Sequence, residues 1–323
     1  MNVQRKNTSS TPMLNRFTRV LGLTVASLTA STAFAGQCDN IRFSDVGWTD
    51  ITATTAVASE VVTGLGYTPS TQLLSVPVTY TSLANGDIDV FLGNWMPTME
   101  ADIASYREAG TVETVRANLE GAKYTLAVPK YAYDAGLKSF ADIAKFKDQL
   151  KGRIYGIEPG NDGNRLIQGM IDENAFDLKG FKLVESSEAG MISQVSRSAK
   201  REQWVVFLGW APHPMNANID MEYLSGGDDV FGPNYGGANI YTNVRQNYTQ
   251  ECPNVGHLLK NLSFSLEMEN QIMGSILDDG MKPAAAARAW LKTHPEVLNN
   301  WLDGVTTLDG KASLPAVRQY LEL

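Results

Sequence analysis

Three tryptophans sit where tryptophan is out of place. Gly47-Trp48-Thr49-Asp50, Gly93-Asn94-Trp95-Met96-Pro97 and Gly209-Trp210-Ala211-Pro212 each follow a short apolar run that reads as a strand. Turns at strand ends normally take small or polar residues. Glu158-Pro159-Gly160-Asn161 holds the matching place after a fourth run, with Asn161 where the others have an indole. One such tryptophan is ordinarily a hydrophobic plug; three at equivalent places point to a shared aromatic site. Strand ends are where open α/β sheets bind ligands. An aromatic site suits a quaternary ammonium, which has a full charge and no N–H to donate, and each ring is worth roughly 0.5–2 kcal/mol to it. A primary ammonium would call for several acceptors, and a sugar for many polar partners. Asp50 stands beside Trp48 as the carboxylate that would add charge attraction. Asp45, in the same turn, ranks second as a turn or cap residue.

Other chemistries lack their residues. There is no G-x-S-x-G, H-E-x-x-H, G-x-G-x-x-G or phosphate loop, so no enzyme activity and no cofactor is expected. The histidines are His213, His257 and His294, and no His/Cys/Asp set has metal-ligand spacing. His213, between two prolines, reads as a turn residue. Asp228-Asp229 and Asp278-Asp279 read as solvated surface or helix ends. An enzyme acting on a quaternary ammonium compound is the rival class, and turnover of such a compound would reveal it.

The elements that must position the indoles alternate. Strands are expected at 41–43, 72–76, 88–92, 124–128, 152–157, 181–184, 204–208 and 239–244. Helices are expected at 51–65, 78–84, 98–109, 140–150, 188–200, 255–277 and 284–302, with another after Gly163. The alternation argues for an α/β fold with mainly parallel sheets. Trp204, Trp290 and Trp301 lie inside predicted elements and are assigned to packing.

Residues 1–35 carry Arg5, Lys6, Arg16 and Arg19, an apolar stretch from Val20 to Leu28, and Ala33-Phe34-Ala35. That is the pattern of a cleaved secretory signal peptide. Cys38 follows closely, but Gln37 breaks the small-residue box of a lipoprotein, so a free periplasmic protein is expected. The segment holds four positive and no negative charges, so its removal takes the formal charge from −8 to −12. Such a body repels nucleic acid and mildly favours cationic ligands. Cys38 and Cys252 face an oxidising compartment, where a disulfide is expected and two buried thiols are the alternative.

Taken together, Gly47-Trp48-Thr49-Asp50, Gly93-Asn94-Trp95-Met96-Pro97-Thr98, Lys123-Tyr124-Thr125, Glu158-Pro159-Gly160-Asn161 and Leu208-Gly209-Trp210-Ala211-Pro212 resemble periplasmic substrate-binding proteins of ABC transporters for quaternary ammonium compounds, nearest their choline-binding branch. The likeness runs the length of the chain. It implies a type II binding protein of two lobes, 36–121 with 214–323 and 122–213, with a hinge crossed twice and the ligand in the cleft. It implies an aromatic box of Trp48, Trp95, Tyr124 and Trp210, with the choline hydroxyl held by Asp50 and Asn161. It also pairs Cys38 with Cys252. Tyr124 has no support from strand-end logic and enters through the resemblance alone. The implied partners are choline, with acetylcholine or betaine weaker, and an inner-membrane permease; a monomer is expected.

Overall fold

The computed structural model describes residues 38–323, so the expected signal segment and the residues preceding Cys38 fall outside it. Nine strands form one sheet: β1 (Asn40–Asp45), β2 (Thr68–Leu73), β3 (Val90–Met96), β4 (Val112–Pro129), β5 (Arg153–Tyr155), β6 (Lys182–Val184), β7 (Phe207–Ala211), β8 (Met221–Tyr223) and β9 (Gly237–Arg245). Their order is β2-β1-β3-β9-β4-β7-β5-β6, with β8 paired to β4. β1 runs parallel to β2 and β3, and β5 runs parallel to β6 and β7. These two parallel wings are joined by β4 and β9, which pair antiparallel with each other and with β7 and β3.

β4 is 18 residues long, far longer than the run expected at 124–128. Three register shifts against β9 interrupt its alternation, which hides its first half in the sequence. The same pairing alters the indole turns. Trp95 stays inside β3 because it pairs with Ile240, and Trp210 stays inside β7 because it pairs with Tyr124. Only Trp48 lies in a true turn, after β1. The stretch expected as one helix over 255–277 is two, Pro253–Asn261 and Leu266–Leu277, with Ser265 capping the second.

Helix Thr49–Gly64 lays Ile51, Val57, Val61 and Val62 into the core, against helices Leu266–Leu277 and Pro283–Thr293. Gly93 makes this fit: a Cβ there would stand 2.6 Å from the Ile51 Cδ1. The glycine before Trp95 thus lets the helix carrying Asp50 lie against β3. Cys38 and Cys252 form a disulfide with a Cα–Cα distance of 5.6 Å, tying the chain ahead of β1 to the helix after β9. Among the described residues no helix is long and apolar enough to cross a membrane.

Asp89, the one charge in its apolar run, is 2 % exposed. It takes Arg42 at 2.6 Å and Arg245 at 2.8 Å, and Arg245 reaches on to Glu251 at 2.6 Å. Burial works against its ionisation, but the two guanidinium groups outweigh it and hold the carboxyl below its ordinary range. Asp89→Ala leaves two arginines without their shared partner and is expected to cost roughly 3 kcal/mol in urea unfolding. A loss under about 1 kcal/mol, the value of a surface pair, would contradict this role.

Candidate functional site

Trp48, Asp50, Trp95, Tyr124, Ile157 and Trp210 line one pocket. The three odd indoles therefore meet, although they come from the β1 turn, β3 and β7. Tyr124 closes the ring from β4. Its ring centre is 5.9 Å from Trp95 and 6.4 Å from Trp210, tilted to the first and edge-on to the second. The lining holds no lysine or arginine. Its one charged residue is Asp50.

Three of the four aromatic walls are held by a polar tether. The Trp95 indole N–H donates to Asp50 Oδ2 at 3.1 Å. The Trp48 indole N–H donates to Glu158 Oε1 at 2.6 Å, across 110 residues of chain. The Tyr124 hydroxyl donates to Asn161 Oδ1 at 2.9 Å. Gly163 permits that last bond, since a Cβ there would overlap the phenol oxygen. Trp210 packs edge-on against His213, with ring centres 4.9 Å apart. These tethers occupy the polar ends of three rings and leave their faces to the cavity.

Asp50 is 1 % exposed. Its Oδ2 is taken by Trp95, while its Oδ1 has no partner. Burial, followed by the nearby Glu188 charge, pushes the carboxyl up to about 8. Glu269, buried behind it, lies well above the carboxylate range through burial and then the Asp50 charge. Glu158 is raised to about 6, again by burial. The site is therefore a group of carboxyls short of positive charge.

Asn161 is placed differently. It caps helix Asp162–Asp172 and stands behind Tyr124 rather than on the cavity wall. Its Oδ1 accepts from Tyr124 and from the Asn164 N–H, and its amide donates to Asp162 at 3.1 Å. One amide hydrogen remains uncommitted. Asp45 accepts from the Gly47 N–H at 2.7 Å and from the Thr52 hydroxyl at 2.7 Å, the work of a turn and cap residue. His213 is a turn residue as expected, but it is 2 % exposed and hydrogen-bonds Glu188. Trp301 is buried and Trp204 packs on Phe146, whereas Trp290 is only partly covered and donates to Gln271.

Ile157 and Glu188 carry no sequence signal of a site, and Glu158, though it opens the Glu158–Asn161 turn, is assigned no role of its own by the sequence. Ile157 is an ordinary apolar residue beyond a strand, and the two glutamates reach Trp48 and Thr49 only through the fold.

Residues 39–293 match the family model described as the substrate binding domain of the ABC-type glycine betaine transport system, OpuAC. The chain belongs to that family. OpuAC-family domains are substrate-binding components of transporters, not enzymes. Among solved structures, the chain is similar to an ABC-transporter choline binding protein in complex with choline, at 64 % identity and TM-score 0.88, over 88 % of this chain and 99 % of that one. The unliganded semi-closed form described for an ABC-transporter choline binding protein, also 64 % identical, fits less closely, with TM-score 0.82 over 89 % and 100 %. Lactococcal OpuAC in its closed form with glycine betaine is 27 % identical, with TM-score 0.74 over 81 % and 98 %. With them the chain shares the type II periplasmic binding-protein fold.

Asp50 ionises near 4 in an unfolded chain and near 8 in this fold. The folded state thus holds the extra proton between those values, and the stability this group contributes is complete below about pH 4 and lost as pH rises through about 8. Ligand-free protein is expected to lose thermal stability between about pH 5 and pH 8. Asp50→Asn should reduce that fall; an offset from wild type that is equal at both pH values would contradict the raised carboxyl.

Proposed function

We propose that this OpuAC-family protein captures choline in the periplasm and delivers it to the permease of an ABC importer. The observation that carries the proposal is the cavity: four aromatic rings around an unpartnered carboxylate oxygen, with no lysine or arginine on the wall. The trimethylammonium group is placed among Trp48, Trp95, Tyr124 and Trp210, where ring faces attract the cation and contact its methyls. The choline hydroxyl donates to Asp50 Oδ1. Asn161, expected to hold the hydroxyl as well, stands behind the wall and is assigned an indirect part: it accepts from the Tyr124 hydroxyl and holds that ring in place. The 64 % identity to a protein solved with choline supports this reading.

We assign two lobes that close over the ligand, with β4 as the outward crossing. The return crossing, expected at 213, is assigned instead to Gly232–Gly237, which makes the lobes 36–121 with the chain from Gly237 onward, and 122–231. That shift follows from β8 pairing with the end of β4 and from Phe231 packing 5.9 Å from both Tyr124 and Phe140. Export is assigned to cleavage of residues 1–35. The better fit to the choline complex than to the semi-closed form supports reading this conformation as the closed one. The protein is taken to act as a monomer.

Specificity follows from charge. Asp50 as a carboxylate accepts a hydroxyl proton and attracts a cation, but repels the carboxylate of betaine. Calorimetry is expected to rank choline above acetylcholine and betaine; betaine binding as tightly as choline would overturn the assignment. Because Asp50 lies near 8 in this fold, choline must displace its proton at neutral pH. Choline affinity should therefore rise with pH up to about 8, by at most about tenfold per unit, while betaine affinity stays level there and falls only above about 8. Asp50→Asn should remove both slopes. Trp48→Ala, Trp95→Ala and Trp210→Ala should each weaken choline roughly tenfold and leave the ligand-free melting temperature nearly unchanged; unfolding of all three would show them to be core.

A further inference from the structure

Glu188 is a carboxylate with an unusual set of partners. It opens helix Glu188–Ala199 in the β5–β6–β7 wing and is 5 % exposed. Its Oε2 accepts the Thr49 backbone N–H at 2.9 Å, and its Oε1 accepts the Thr49 hydroxyl at 2.6 Å, although Thr49 lies 139 residues away in the β1 wing. Oε1 also meets His213 Nε2 at 3.0 Å. His213 Nδ1 accepts the Met215 backbone N–H at 2.9 Å, so the proton sits on Nε2 and points at Glu188. All three hydrogens thus point toward one carboxylate.

The position of Thr49 gives the contact its meaning. Helix Thr49–Gly64 has Trp48 as its N-cap residue, and that residue makes no side-chain cap bond. A helix start leaves backbone N–H groups without partners and carries partial positive charge. Here the cap comes from the other wing of the molecule. The residue immediately before Thr49 is cage wall Trp48, and three residues before His213 is cage wall Trp210, which the imidazole touches edge-on. Glu188 therefore connects two walls of the cage through one buried carboxylate.

We infer that Glu188 is a positioning residue, a cross-wing latch that caps the Trp48 helix when the cleft closes and slows release of bound choline. This rests on the choline-cage reading above. When the wings separate, Thr49 and Glu188 each regain water, so the latch bonds belong to the closed state and oppose opening, not entry. Such bonds act on the dissociation rate.

The test is stopped-flow tryptophan fluorescence of choline association and dissociation, with ligand-free melting temperatures alongside. Glu188→Ala removes all three acceptor contacts and is expected to raise koff roughly tenfold or more, with kon within about twofold of wild type. Glu188→Gln keeps one acceptor oxygen and should lie between the two. Thr49→Val removes the hydroxyl donor from the opposite side; it should raise koff several-fold alone and add nothing in the Glu188→Ala background. Wild-type koff in Glu188→Ala overturns the latch, as does a fully additive Thr49→Val effect. A koff increase matched by lost ligand-free stability and lowered kon would show a merely structural role and also overturn it. Wild-type protein that fails to bind choline sinks the cage reading and the latch with it, whereas choline binding with unchanged variant kinetics sinks the latch alone.

Discussion

The site is governed by a carboxyl buried without a cation. Asp50 lies at 1 % exposure with one oxygen unpartnered, and the charges nearest to it are acidic. Removing an ion from water costs far more than a single indole hydrogen bond returns. The pocket meets that cost by holding a proton on Asp50. A ligand that brings a positive charge, a hydroxyl and no N–H relieves the same constraint, and the aromatic walls keep water from doing so instead.

The remaining architecture places four rings around that carboxyl. The two parallel wings bring the Trp48 turn and the Trp210 strand from opposite sides, and β3 and β4 supply Trp95 and Tyr124 near the junction. Three walls are tethered by their polar ends to residues distant in sequence, and the Trp48 tether crosses from one wing to the other. Glu158 and Glu188 serve this end from one wing, reaching Trp48 and Thr49 in the other. Specificity and closure are thus linked through the same few carboxylates.

Much of this is legible in the chain itself. An indole beside a glycine at a strand end breaks turn chemistry, and three such breaks mark Trp48, Trp95 and Trp210. Asp50 is legible by its closeness to Trp48. The strand ends themselves are less so, because pairing with β9 and β4 carries Trp95 and Trp210 into strands that local pattern would have ended earlier. Tyr124 sits in mid-strand, where a tyrosine is ordinary, and only resemblance singles it out. Glu188 has no local signature, and the turn that contains Glu158 does not reveal its tether to Trp48, since their partners lie 139 and 110 residues away. Long-range polar contacts of this kind arise from topology, and spacing along the chain does not encode them.

The central claim is that the cage recognises charge and not merely shape. Binding of 3,3-dimethylbutan-1-ol, in which carbon replaces the choline nitrogen while the hydroxyl and the methyl groups remain, tests it most directly in a calorimetric competition with choline. Loss of the ring–cation attraction, taken as about 3 kcal/mol over four rings, predicts binding at least about a hundredfold weaker than choline. A neutral isostere that competes within a few-fold of choline would contradict the account.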